Sequence, residues 1–126
     1  MSDVPELWMD KARYDLDTAH DMFQAGRYLY VLFCCQQAVE KALKGLIARK
    51  TGEFPPRLHN LIRLAEHASM EFDEKRADFL RELSAYYIQA RYPEEIENVS
   101  AAVSREIAHD MLSKTEEIFK WLSSIQ

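Results

Sequence analysis

Turn-forming residues are scarce in this chain of 126 residues, which has three glycines and four prolines. So few leave room only for short connections between long elements, and that points to helices. There is no asparagine–glycine pair and no sustained apolar–polar alternation, so hairpins and strands are not expected. No apolar run approaches the roughly 20 residues that a membrane span needs. The opening MSDVPELWMDKARYD has neither a basic n-region nor an apolar h-region, so no secretory signal is expected. The only cysteines are the neighbours Cys34 and Cys35. A bridge between adjacent residues is strained and one pair makes no scaffold, so reduced, buried thiols in a cytoplasmic protein are expected. Glycine-rich phosphate loops and nucleophilic-serine elbows are missing too.

What is present fits one packed domain with a single core. Hydrophobic residues at 48% and charged ones at 29% are the ordinary balance of a soluble globular protein, with no membrane partner implied. A net charge of −5 excludes non-specific nucleic-acid binding by the whole surface. The charge is unevenly placed, however. Between Lys41 and Arg63 six basic residues (Lys41, Lys44, Arg49, Lys50, Arg57, Arg63) face one acid, Glu53, while acids dominate both ends and the stretch from Glu94 to Glu97. Such a segment is either a patch that meets phosphates or a solvated helix face, and both readings stand.

Helical periodicity runs nearly throughout. A first helix over about Pro5 to Ala25 carries Trp8, Ala12, Leu16, Ala19 and Phe23 on one stripe, with Pro5 suited to its first turn and Gly26 breaking it. A second, about Arg27 to Thr51, is apolar over a wide arc (Tyr28, Val31, Leu32, Cys35, Val39, Ala42, Leu43, Leu46), which makes it the centre of the fold. Leu29, Tyr30 and Phe33 widen that arc towards a partner surface or deeper burial. Gly52 closes the helix and Phe54-Pro55-Pro56 forms a stiff turn. A short helix follows over about Leu58 to Ser69. A fourth, capped by Asp73, runs to Arg91 and stops before Pro93. The last starts at Asn98 or Ser100 and presents Ile107, Met111, Ile118 and Leu122. The expected fold is all-α: an up-and-down four-helix bundle with one short additional helix, five in all, forming a single domain over residues 1–126.

Several residues offer chemistry. Tyr87 and Arg91 are four apart, so a ring for stacking and a guanidinium for phosphate can face the same way. Lys41 and Lys44, three apart, can add phosphate contacts. The structural alternative is that Tyr86 and Tyr87 are half-buried bundle residues and Arg91 serves the helix C-terminus or pairs with Glu94 or Glu95. Two acid-x-x-histidine pairs, Asp17 with His20 and Glu106 with His109, echo carboxylate-bridged di-iron bundles, with Glu40 and Glu82 as bridging candidates. Solvated side chains explain them more simply, and neither metal nor cofactor is expected. His59 and His67 lack partners at zinc-ligand spacing, and His59 is expected to cap or pack.

Three segments in register, CCQQAVEKALKGLI (34–47), LHNLIRLAE (58–66) and YYIQARYPEE (86–95), resemble the HEPN domain family, the higher eukaryote and prokaryote nucleotide-binding domain. The resemblance spans nearly the whole chain. It implies a helical bundle that forms a homodimer and is paired with a separate small nucleotidyltransferase, often as toxin and antitoxin, with the bundle walling the nucleotide site. Many members are instead metal-independent RNases with an arginine, four to six residues and a histidine. The nearest match here is Arg105 to His109, with three intervening residues. An arginine stabilising phosphorane charge and a neutral histidine deprotonating a 2′-hydroxyl would suit that reaction. The expectation is therefore a HEPN-type accessory or binding protein that contacts nucleotide or RNA through Tyr87, Arg91, Lys41 and Lys44. The alternatives are an RNase using Arg105 and His109 at a dimer cleft, and a purely structural interaction bundle.

Overall fold

The structure, a computed structural model, describes residues 3–89 and 92–125. Among these residues six helices follow one another: α1 (Val4–Gln24), α2 (Tyr28–Thr51), α3 (Leu61–His67), α4 (Glu74–Gln89), α5 (Pro93–Ala102) and α6 (Arg105–Ile125). Among the described residues all regular structure is helical. The expected all-α bundle is thus found with one helix more than five. The addition is α5, where the proline that ends the preceding helical pattern sits in the first turn of a new one. The last helix starts later than Asn98 or Ser100. Ser104 accepts the Ile107 N–H at 3.2 Å and so caps α6. The third helix likewise begins at Leu61, behind the cap Asn60, which accepts the Arg63 N–H at 3.0 Å. Asp73 caps α4 as expected, accepting the Arg76 N–H at 2.8 Å.

α1 and α2 form a hairpin around Gly26, whose φ of 76° takes the chain through the left-handed region. Gly52, at φ 70°, ends α2 and donates its N–H to Ala48 O. α2 is the hub, packed against α1, α3, α4, α5 and α6. Along it Val31, Leu32, Cys35, Val39, Ala42, Leu43 and Leu46 are all buried. Each such leucine, removed from water, stabilises the fold by about 1.5–3 kcal/mol. The same core takes in Ala12, Leu16 and Ala19 of α1, Leu80 and Leu83 of α4, and Met111, Ile118 and Leu122 of α6. α6 runs antiparallel to α1, because His20 meets Glu116 while Phe23 meets His109. The chain leaving α2 turns back along it until His59 lies beside Gln36. α3 then returns the same way, ending with Ala68 O on Lys50 Nζ at 2.8 Å.

Candidate functional site

Among the described residues four polar or charged side chains are buried in this otherwise apolar interior: Gln36, Glu40 and Lys44 on α2, and Thr115 on α6. The first three recur every four residues, so they share one face of the helix. Burying charge costs several kcal/mol per ion unless each group is paired, and here each is. Lys44 Nζ lies 3.1 Å from Glu40 Oε2 and 5.5 Å from the centroid of the Trp8 ring, which adds a cation–π contact. Gln36 Nε2 donates to Glu40 Oε1 at 3.3 Å and to His59 O at 3.0 Å. The His59 ring closes the cluster, with Nδ1 at 3.1 and 3.2 Å from the two Glu40 oxygens.

The cluster extends to the flank of α2 that faces α1. Gln37 Nε2 donates to Gln36 Oε1 at 3.0 Å, and Lys41 Nζ donates to Gln37 Oε1 at 2.7 Å and to Asp15 Oδ2 at 3.1 Å. Lys11 reaches the other oxygen of Asp15 at 3.2 Å. A continuous hydrogen-bonded chain therefore runs from Lys11 on α1, beneath the surface, to His59 in the loop before α3. Its polarity is fixed. Lysine can only donate, so Gln37 presents oxygen to Lys41, its amide must donate to Gln36, and the Gln36 amide must donate onward. Both ends are open to solvent, with side-chain exposures of 52% for Lys11 and 58% for His59.

The residues singled out in the sequence fall at three places. Lys41 and Lys44 belong to this chain of polar groups, each held by a carboxylate. Tyr87 packs on Phe33 of α2 with ring centroids 5.2 Å apart, and Phe33 in turn meets Tyr30 at 6.5 Å. Phe33, Gln37 and Lys41 are successive i, i+4 positions, so the aromatic pair and the lysine share one stripe of α2 about 12 Å apart. Arg91 lies outside the described residues. Arg105 and His109 are exposed at the far end of the bundle. Both pack there on Phe23, with the guanidinium 5.0 Å and the imidazole 5.8 Å from its ring centroid. The acid-x-x-histidine pairs do not converge. His20 pairs with Glu116 at 3.0 Å, and Glu40 is taken by Lys44 and His59. Among the described residues no three His, Cys, Asp or Glu side chains are placed to share a metal ion. His59 packs on a carboxylate rather than capping a helix, since Asn60 is the cap.

Gln36, Gln37, Glu40 and Asp15 do not announce themselves as one network in the sequence, but a signal for it exists. On a helix apolar nearly all round, a Gln-Glu-Lys run at four-residue spacing has no solvent face to occupy, so it must be buried and paired.

Burial also governs the thiols. It pushes Cys35 up to about 12, against a hydrogen bond with Thr115 that acts the other way. Burial, then the Asp15 charge, raises Cys34. Both are thiols rather than thiolates near neutrality. Among the described residues no helix is long and apolar enough to cross a membrane.

A family model described as HEPN domain matches residues 5–125. The chain is similar to the crystal structure of TT1696 from Thermus thermophilus, with 25% identity, 98% of each chain covered and a TM-score of 0.83. No curated protein matches it.

Proposed function

The chain belongs to the HEPN domain family, and on that premise we propose that it is an accessory binding protein, which walls a nucleotide site for a separate nucleotidyltransferase. The observation that carries the reading is the buried polar chain on α2, in which Lys41 and Lys44 are pre-positioned by Asp15 and Glu40. Lysines held at fixed positions lose less side-chain freedom when an anion arrives than lysines free in water. Lys41 keeps 16% side-chain exposure and sits about two helical turns along the stripe from Phe33 and Tyr87. A base stacked on the aromatic pair would direct its polyphosphate along α2 towards Lys41 and the open Lys11. The working unit is a homodimer, and in a toxin–antitoxin pair this chain takes the toxin position.

The test is the melting temperature of the purified protein across the four ribonucleoside triphosphates, each with and without magnesium. A ligand bound only by the folded state stabilises by about 2.7 kcal/mol at one hundred times its dissociation constant, a shift of several degrees. A saturable shift with one nucleotide, lost in Lys41→Ala, Tyr87→Ala and Arg91→Ala, is expected. No shift with any of them overturns the reading.

A second reading, RNA cleavage, rests on Arg105 and His109 sharing the Phe23 ring. Under it His109→Ala abolishes cleavage of a single-stranded RNA while leaving nucleotide shifts intact.

A further inference from the structure

We propose that His59 is a phosphoryl-acceptor site, with Nε2 as the nucleophile and Glu40 as the residue that positions it. The inference does not depend on nucleotide binding at α2.

Three observations carry it. First, the ring is oriented by a buried carboxylate: Nδ1 lies within hydrogen-bond distance of both Glu40 oxygens, while Glu40 itself is 3% exposed. A carboxylate at Nδ1 fixes the proton there in the neutral ring and leaves the lone pair on Nε2. Second, the main chain is anchored. Gln36 donates to His59 O, Leu58 N donates to Pro56 O at 2.9 Å, and Asn60 begins α3 on the other side. The imidazole therefore stands at the surface on a loop that is tied down before and after it. Third, Arg57 and Arg63 flank it in sequence, both exposed and neither in an ion pair with a described residue. They add two cationic residues to the same short segment, with no ion pair to a described carboxylate.

The arrangement is that of an activated nucleophile whose orienting partner is itself fixed. Glu40 is held by Lys44 and Gln36 as well as by His59. In the step, the Nε2 lone pair attacks phosphorus, a nitrogen–phosphorus bond forms, and the bond to the donor's leaving group breaks with its electron pair departing on that group. The ring becomes an N-phosphorylated imidazolium. No proton leaves, because Nδ1–H stays on the ring and its positive charge faces the Glu40 carboxylate.

The four histidines of the chain provide internal comparison. His20 has Nε2 engaged by Glu116 at 3.0 Å, His109 packs on Phe23, and His67 is exposed on α3 without a carboxylate partner among the described residues. Among the described residues none of these three has Nδ1 held by a carboxylate with Nε2 left open.

The experiment treats the full chain with phosphoramidate, which transfers its phosphoryl group as ammonia leaves. Adducts are mapped by mass spectrometry under alkaline conditions, and the ring position is assigned by phosphorus and proton–nitrogen NMR. The expected result is a single phosphoryl group on His59, at Nε2, formed about tenfold faster than any adduct on His67. Because Glu40→Gln alone would strand the Lys44 charge, the positioning role is read in the double variant Glu40→Gln with Lys44→Met. In that variant His59 should be labelled about tenfold more slowly and at both ring nitrogens. Because unfolding would release the ring as well, circular dichroism and a cooperative urea transition first establish that the double variant is folded, and only then is its ring position read. Labelling spread evenly over the four histidines, an Nδ1 adduct in the parent chain, no adduct at all, or unchanged rate and ring position in the double variant would each overturn the proposal.

Discussion

Gly45 meets α1 at backbone distance: a β-carbon placed on it would stand 3.2 Å from the carbonyl oxygen of Pro5 and equally close to Trp8 Cβ. The hairpin of α1 and α2 closes at this point because one helix has no side chain there. Alanine would gain about 1 kcal/mol of helix propensity but must move α1 by a few tenths of an ångström, so Gly45→Ala should change stability little. Gly45→Leu has no such escape. It should destabilise by about 1–3 kcal/mol, measured by urea unfolding. An unchanged midpoint for the leucine variant would show that α1 is not held where Pro5 and Trp8 place it.

The Glu40–Lys44 pair predicts a strongly non-additive pair of substitutions. Removing Glu40 strands the buried Lys44 charge, and removing Lys44 leaves the Glu40 carboxylate with only its Gln36 and His59 hydrogen bonds, each at a cost of up to about 3–5 kcal/mol. Replacing both with methionine removes the penalty with the pair, so the double variant should lie much closer to the parent chain. A double-mutant cycle by chemical denaturation measures this. Additive losses would mean that water reaches Lys44 despite its 7% exposure.

These two relationships also show what a sequence can reveal. The apolar stripe through Ala12, Leu16 and Ala19 and the arc from Val31 to Leu46 are legible because periodicity reports which face is buried, and those residues are buried. Gly26, Gly52 and Asp73 are legible because turns and caps have residue preferences of their own. The site is harder. Lys41 and Lys44 stand out by charge, but a sequence does not say that Asp15, fully 26 positions earlier, and Glu40 hold them. The link from Glu40 to His59 depends on a loop folding back along α2, which no local pattern encodes. α5 escapes a sequence reading for a related reason. Pro93 stops one helix and starts the next, and the apolar pattern before it displays only the first effect.

Ser104 tests the boundary that follows from this. Its hydroxyl accepts the Ile107 N–H, so Ser104→Ala should cost about 0.5–2 kcal/mol. Ser100→Ala, at an exposed position within α5, should cost much less. Equal losses in urea titrations would move the start of the last helix back towards Ser100.

Cys35 predicts the alkaline limit of stability. Burial is the main cause that pushes its thiol from an ordinary value of 9.0 up to about 12, with the Thr115 hydrogen bond opposing it. Below pH 9 the thiol is protonated whether the chain is folded or not, and it causes no pH dependence. Between 9 and about 12 the unfolded chain loses the proton while the folded chain keeps it. The unfolded state then binds fewer protons, so stability falls as pH rises. Cys34, raised in the same direction, adds to the slope. Cys35→Ala removes the larger contribution: it should lower stability near neutrality by leaving a small void, yet show a shallower loss between about pH 9 and 11. Urea unfolding of both proteins at neutral and alkaline pH gives the comparison, with all other titrating groups common to the two chains. Parallel pH dependence would mean that the Cys35 thiolate is tolerated in the folded core, which its complete burial on α2 argues against.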